Sequence, residues 1–159
     1  MLTKFQLNER KNRDKSYQQN LVKEQINLDL FIKLIIPKLK CNYQINPTDS
    51  SDNLLGSDIK LISDKGSINV DLKGFVDDYQ NVVLSTNRSY DNKTWYSTID
   101  NRNTDLYVFV DPNKEIFLAL PKKKLISLLP TLRTKFIEPT TAGHYQRICF
   151  IPKSELVKL

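Results

Sequence analysis

Two short segments in the middle of the chain constrain its fold more than anything else in it. Asp58-Ile59-Lys60-Leu61-Ile62 and Ser67-Ile68-Asn69-Val70-Asp71-Leu72-Lys73-Gly74-Phe75 both alternate in polarity, and Asp64-Lys65-Gly66 lies between them. A period of two with turn residues at the junction predicts a β-hairpin. Ile68, Val70 and Leu72 then share one face, and Asn69, Asp71 and Lys73 share the other. With a two-residue loop at Lys65-Gly66, Asp64 pairs with Ser67, Lys60 lies opposite Asp71 and Asp58 opposite Lys73. Directly opposed side chains are about 5 Å apart, so Asp58, Asp71 and Lys73 would cluster on one side of the sheet. A different loop would shift this register.

Around the hairpin, apolar residues recur at helical spacing from Ser16, a suitable N-cap, to Ile36, where Pro37 stops the pattern. Residues 1–15 are polar and basic and read as an arm ahead of a single domain over 16–159. Strands are predicted at Cys41–Ile45, Val82–Thr86, Leu106–Asp111, Glu115–Leu120 and Tyr145–Ile151. The almost unbroken apolar run Leu106-Tyr107-Val108-Phe109-Val110 marks a central strand. Pro121 opens a short helix over Lys122–Leu129, and Pro152 a last one through Leu159. A helix, strands, a helix, a strand and a helix make an α/β or α+β domain with a mixed central sheet.

Much chemistry is excluded by what the chain lacks. Its 159 residues include two cysteines, far apart, and one histidine, His144, so zinc-finger and CxxC chemistry have no ligands. His144 sits in a polar loop with no nucleophile motif near it and reads as a surface or hydrogen-bonded residue. No phosphate-cradling glycine loop occurs among only four glycines. No run approaches the roughly 18 apolar residues of a membrane span, and the first ten residues have no apolar signal core. A cytoplasmic protein without membrane partners is the expectation. Carboxylates, lysines and a bound cation are left to carry any reaction.

Two clustered carboxylates repel each other unless something positive lies between them, and a hard divalent cation with oxygen ligands suits that position. A lysine beside them can hydrogen-bond a water or steady charge growing on an attacked phosphate. The same residues alone also make an ordinary surface Asp/Lys ladder. The first helix adds a further acid. Tyr17, Leu21, Leu28, Phe31 and Ile35 fall within an arc of roughly 80°, and Glu24 lies inside that arc. A carboxylate in a core-facing stripe needs a lysine, a backbone donor or a metal site, whether for structure or for function.

Asp58, followed by Asp71-Leu72-Lys73 on the next strand and preceded by a helix bearing Glu24, resembles the PD-(D/E)XK nuclease superfamily over about residues 16–111. The resemblance implies a restriction-endonuclease-like α-β-β-β-α-β core, a mixed central sheet flanked by helices. It also implies Mg²⁺ (or Mn²⁺) held by Asp58 and Asp71, with Lys73 as the catalytic lysine beside the attacking water. Glu24 corresponds to the helical acid of some branches. The implied activity is metal-dependent hydrolysis of phosphodiester bonds in DNA. Ser57 stands where the family usually has proline, which leaves the first motif incomplete.

Charge is unevenly spread. Seven aspartates and three lysines lie between Thr48 and Gln80, whereas Lys122, Lys123, Lys124, Arg133 and Lys135 have no acid among them, and the whole chain carries +6. Positive surroundings attract a phosphate backbone. Arg88, Lys93, Trp95, Tyr96 and Arg102 interleave bases with aromatics, a composition able to grip phosphates and stack on bases, although Trp95 and Tyr96 could equally cap the core. DNA is the expected partner. The alternative is a non-catalytic nucleic-acid-binding or protein-interaction module on the same scaffold. A lone active site cuts one strand, so cutting both would call for a homodimer.

Overall fold

The computed structural model describes residues 4–47, 56–100, 102–139 and 144–159, with side chains described from residue 19 onward. The loop residues Asp49 and Asp52, the segment Thr140–Gly143 and the side chains of Lys4, Arg10, Lys11, Arg13, Lys15, Ser16 and Tyr17 lie outside it. Helix α1 spans Lys4–Leu34. It therefore begins well before Ser16, where sequence placed the cap. Leu7, Glu9, Arg10 and Lys11 are good helix formers, and a helix anchored by packing further along extends through such residues without an apolar stripe of its own. Pro37 sits in the first turn of a short helix α2 (Ile36–Leu39), and Lys40 closes it in the left-handed conformation at φ 51°.

A six-stranded mixed sheet is ordered β1-β2-β3-β6-β7-β10. Its strands are β1 (Asn42–Ile45), β2 (Ile59–Ser63), β3 (Gly66–Gly74), β6 (Leu106–Asp111), β7 (Ile116–Pro121) and β10 (Val157–Lys158). The second sheet is antiparallel and ordered β5-β4-β9-β8, from β4 (Asn81–Ser89), β5 (Tyr96–Ser97), β8 (Thr134–Ile137) and β9 (Tyr145–Pro152). The chain is thus α+β with a mixed central sheet. β3 and β6 run parallel, and the crossover between them passes through β4 and β5 rather than through a helix.

Each face of the larger sheet has its own core. Phe31, Ile35 and Ile36 pack on Ile59, Val70, Leu72, Val108 and Phe117. On the other face Tyr107, Phe109, Leu118 and Leu120 pack against Val82, Leu84, Cys149 and Ile151 of the second sheet, with Leu125 of helix α3 (Lys122–Leu128). β6 is apolar on both faces because it lies between β3 and β7 under both cores. After Pro152 the expected helix gives way to a 3₁₀ turn at Lys153–Glu155 and to β10. A helix that short is marginal, whereas pairing with the open edge of β7 satisfies its backbone groups. His144 is buried rather than on the surface, edge-on to Tyr90 at 6.2 Å.

The hairpin forms with a loop one step earlier than expected. Ser63 pairs with Gly66 across Asp64-Lys65, so Lys60 faces Asn69 and the last pair is Ile59 with Val70. The Ser63 hydroxyl accepts the Lys65 N–H at 3.3 Å and donates to the Gly66 carbonyl at 3.3 Å, and Gly66 supplies a φ of +122°. Partners move by two positions, which leaves every side chain on its predicted face. Asp58, one step beyond the ladder, comes level with Asp71 instead of Lys73.

Phe31 is fully buried and meets Phe117 at 6.3 Å, so it fastens α1 to the sheet. Phe31→Ala is expected to lower stability by about 3–5 kcal/mol, read as a lower urea midpoint with an unchanged slope. A loss below about 1 kcal/mol would mean that α1 is not held by this contact.

Candidate active site

The site forms where β2 starts beside the middle of β3. Asp58 Oδ2 accepts the Leu72 N–H at 2.7 Å, in the position a further ladder carbonyl would occupy if β2 were longer. The turn into Asp58 is fixed by side chains. Ser57 is fully buried, its hydroxyl accepts from Asn46 Nδ2 at 2.9 Å and donates to Asn69 Oδ1 at 3.4 Å, and Asn46 Nδ2 also reaches the Ser57 carbonyl at 3.0 Å. These bonds fix the backbone just ahead of Asp58.

Asp71 is 5% exposed, and Lys73, two residues along the same face, places its ammonium 3.1 Å from Asp71 Oδ2. Burial and the neighbouring Asp71 carboxylate push Asp58 up from 3.8 to about 7, against the Leu72 N–H and the Lys73 charge, which favour ionisation. A hydrogen bond between the two carboxyl groups also favours the protonated Asp58. The pair therefore holds a proton near neutral pH, in a place where a metal ion can neutralise it instead.

Glu24 does not lie in the buried stripe as predicted. It is exposed, and it lines a cleft of about 380 Å³ with Leu21, Leu28, Asn46, Asp58 and Leu72. Partial desolvation raises its pKa, Lys73 lowers it and Asp71 raises it, so Glu24 lies within the field of Lys73 and Asp71. Among the described residues no group of three or more His, Cys, Asp and Glu side chains could hold a metal ion. An ion here would take Asp58 and Asp71 as its protein ligands. This all-oxygen donor set fits Mg²⁺ or Mn²⁺, since Mg²⁺ is commonly held by one or two carboxylates, with water and substrate phosphate completing its shell.

The predicted basic and aromatic residues divide into groups. Arg88 and Arg102 are brought to the site, lining a second cavity with Asp71 and Lys73. Lys122 turns inward and donates to the Arg102 carbonyl at 2.8 Å, and Lys124 binds Glu155 through its carbonyl at 2.6 Å and its carboxylate at 3.4 Å. Lys123 and Lys93 are exposed, the Lys93 backbone N–H donating to Asp91. Tyr96 is exposed on β5. Trp95 is half-buried against Phe136, with the Arg147 guanidinium 4.5 Å above its ring. Asn46 lines the first cleft, and Ser85 and Tyr107 the second, without a sequence signal for any of them; Tyr107 is hidden in an apolar run.

The raised Asp58 acidity sets a pH dependence. Below about pH 3.8 folded and unfolded chains both hold this proton; between about 3.8 and 7 the unfolded chain releases it while the folded chain keeps it, so metal-free stability falls across that window and levels off above 7. The full loss is on the order of 4 kcal/mol. Asp58→Asn is expected to flatten that decline and to stabilise the metal-free protein at pH 8, measured by urea unfolding across pH 4–9. An unchanged pH profile would show that Asp58 is not held beside a second carboxylate.

No known protein family matches the chain, and no curated protein does. Among solved structures it is similar to a bacterial homing endonuclease, at 16% identity over 65% of this chain and 69% of that one with a TM-score of 0.46. It is also similar to a nuclease from a fusselovirus, at 11% identity over 89% of this chain and 84% of that one with a TM-score of 0.48.

Proposed function

We propose that the chain is a metal-dependent nuclease that hydrolyses phosphodiester bonds in DNA. The observation that carries this reading is the convergence of Asp58, Asp71 and Lys73 at one point of the sheet, tied by the Leu72 hydrogen bond and the Lys73–Asp71 ion pair. Asp58 and Asp71 would hold Mg²⁺ or Mn²⁺, which supplies positive charge to the phosphate and acidifies a bound water.

The chain's own residues account for the rest. Lys73, half-exposed and tethered at 3.1 Å to Asp71, points a donor toward the space where a phosphate oxygen or an attacking water would lie. Glu24, across the cleft, adds negative potential that draws in a cation and can orient water from the α1 side. Ser57 and Asn46 keep Asp58 from relaxing away from Asp71. Such preorganisation matters because positioning and charge stabilisation do most of the work in phosphoryl transfer. A cytoplasmic location belongs to the same proposal, and so does a second copy of the chain wherever both strands are cut. Among the described residues no helix is long and apolar enough to cross a membrane.

Plasmid, single-stranded and branched DNA incubated with the purified protein should be cut with Mg²⁺ or Mn²⁺ and not with EDTA. Asp71→Asn and Lys73→Ala should each reduce the rate by about 10²–10³-fold or more, the scale of removing one preorganised electrostatic group. Glu24→Gln should cost about 10-fold, as for a group outside the direct ligand set. Cleavage that survives the Asp71 and Lys73 substitutions would place the reaction elsewhere. DNA binding of equal strength with and without Mg²⁺, and no cleavage, would make the chain a binding module instead.

A further inference from the structure

The Asp58–Asp71 pair separates two cavities of opposite character. The cleft on the α1 side is lined by Glu24 and Asp58; the cavity on the other side is walled by Lys73, Ser85, Arg88, Arg102 and Tyr107 around Asp71. Lys73, Arg88 and Arg102 line this space, where Lys73 is paired with Asp71 at 3.1 Å and Asp100 also acts on Tyr107, so the two arginines carry its cationic character. Tyr107 is 2% exposed, and its hydroxyl has no hydrogen-bond partner among the described residues, nor has the buried Ser85 hydroxyl. Buried polar atoms are normally paired, so two unpartnered hydroxyls bordering one cationic space call for an acceptor within it. Burial and the Asp71 charge push the Tyr107 phenol up to about 12, so it remains a donor at any working pH.

Arg102 is held in this wall. Its carbonyl takes the Lys122 ammonium at 2.8 Å, and its Cδ lies over Gly56, where an added Cβ would sit 2.5 Å away. Gly56 has φ +97°, and its carbonyl accepts from Thr104 Oγ1 at 2.7 Å, joining the turn before Asp58 to the segment that carries Arg102. The cavity measures about 190 Å³. That is room for about six waters at roughly 30 Å³ each. It falls short of the roughly 300 Å³ at which pockets begin to enclose whole small molecules. A tetrahedral anion fits.

We propose that this cavity is a phosphate subsite, in which Arg88, Arg102 and Lys73 neutralise a nucleic-acid phosphate while Tyr107 and Ser85 donate to its oxygens. The guest is a terminal monoester or an internal diester of the strand; both present the same oxygens. The proposal rests on the nuclease reading for the identity of the guest, but its test needs neither metal nor cleavage.

The full chain, in EDTA at low salt, is titrated with inorganic phosphate by calorimetry and by NMR of the tyrosine ring carbons. Saturable one-site binding that shifts the Tyr107 signal is expected. Arg102→Gln should weaken it by about 10-fold or more, and Tyr107→Phe by about 3–10-fold, the loss of single hydrogen bonds to a charged guest. Lys65→Gln, at the distant hairpin tip, should leave affinity unchanged. Tyr107→Phe keeps the packed ring, and far-UV circular dichroism checks that each variant is folded. Displacement of phosphate only by 5′- or 3′-phosphorylated oligonucleotides assigns a terminal phosphate, and equal displacement by unphosphorylated ones assigns an internal phosphate; either supports the subsite. No saturable binding, or wild-type affinity in both folded variants, overturns it. Cleavage without phosphate binding would leave the nuclease standing and remove the subsite; binding without cleavage would do the reverse.

Discussion

The hydrogen bond from the Leu72 amide to Asp58 decides the character of this molecule. The last backbone bond between β2 and β3 runs from the Asp58 N–H to the Val70 carbonyl at 2.9 Å, and the next amide of β3 meets a side-chain carboxylate, not a backbone carbonyl. Because Leu72 lies between Asp71 and Lys73, that bond also brings the first acid to the second acid and to the lysine. A strand edge is normally something to be covered or blunted. Here its first free donor fixes a charged group at a defined point.

This arrangement works against stability. Two carboxylates are held where burial and mutual repulsion keep one of them protonated up to about pH 7. The surrounding hydrogen bonds of Ser57 and Asn46 make relaxation costly, so the repulsion persists in the folded chain. Strained electrostatics of this kind is common at functional sites, although structural ion-pair networks also produce it. Glu24 lies on one side of the pair, and Lys73, Arg88 and Arg102 lie on the other. In the proposed function the cation would lie on the Glu24 side of the pair and the phosphate on the arginine side.

How much of this was legible in the sequence depended on whether local chemistry or distant pairing decided the outcome. The faces of β2 and β3 were legible because alternation fixes them, and the centrality of β6 because burial on both sides demands an unbroken apolar run. The exact partners were not legible, since the hydrogen bonds of Ser63 moved the loop while preserving the faces. Glu24 was placed in the buried arc by helical geometry alone, but the cleft beside Asp58 leaves that part of the helix uncovered. β5 and β8 were missed because a two-residue strand and a four-residue one carry too little pattern of their own; each exists through pairing with β4 or β9. Arg88 and Arg102 were selected for composition, and only the fold of the crossover shows that both reach Lys73.

Anomalous diffraction at the manganese edge, from crystals of the protein soaked in Mn²⁺, tests the central claim most directly. The account predicts a peak within coordination distance of both the Asp58 and Asp71 carboxylates, lost in Asp71→Asn crystals of the same form. A map with no peak there at saturating Mn²⁺, or with density only at unrelated surface acids, would contradict it.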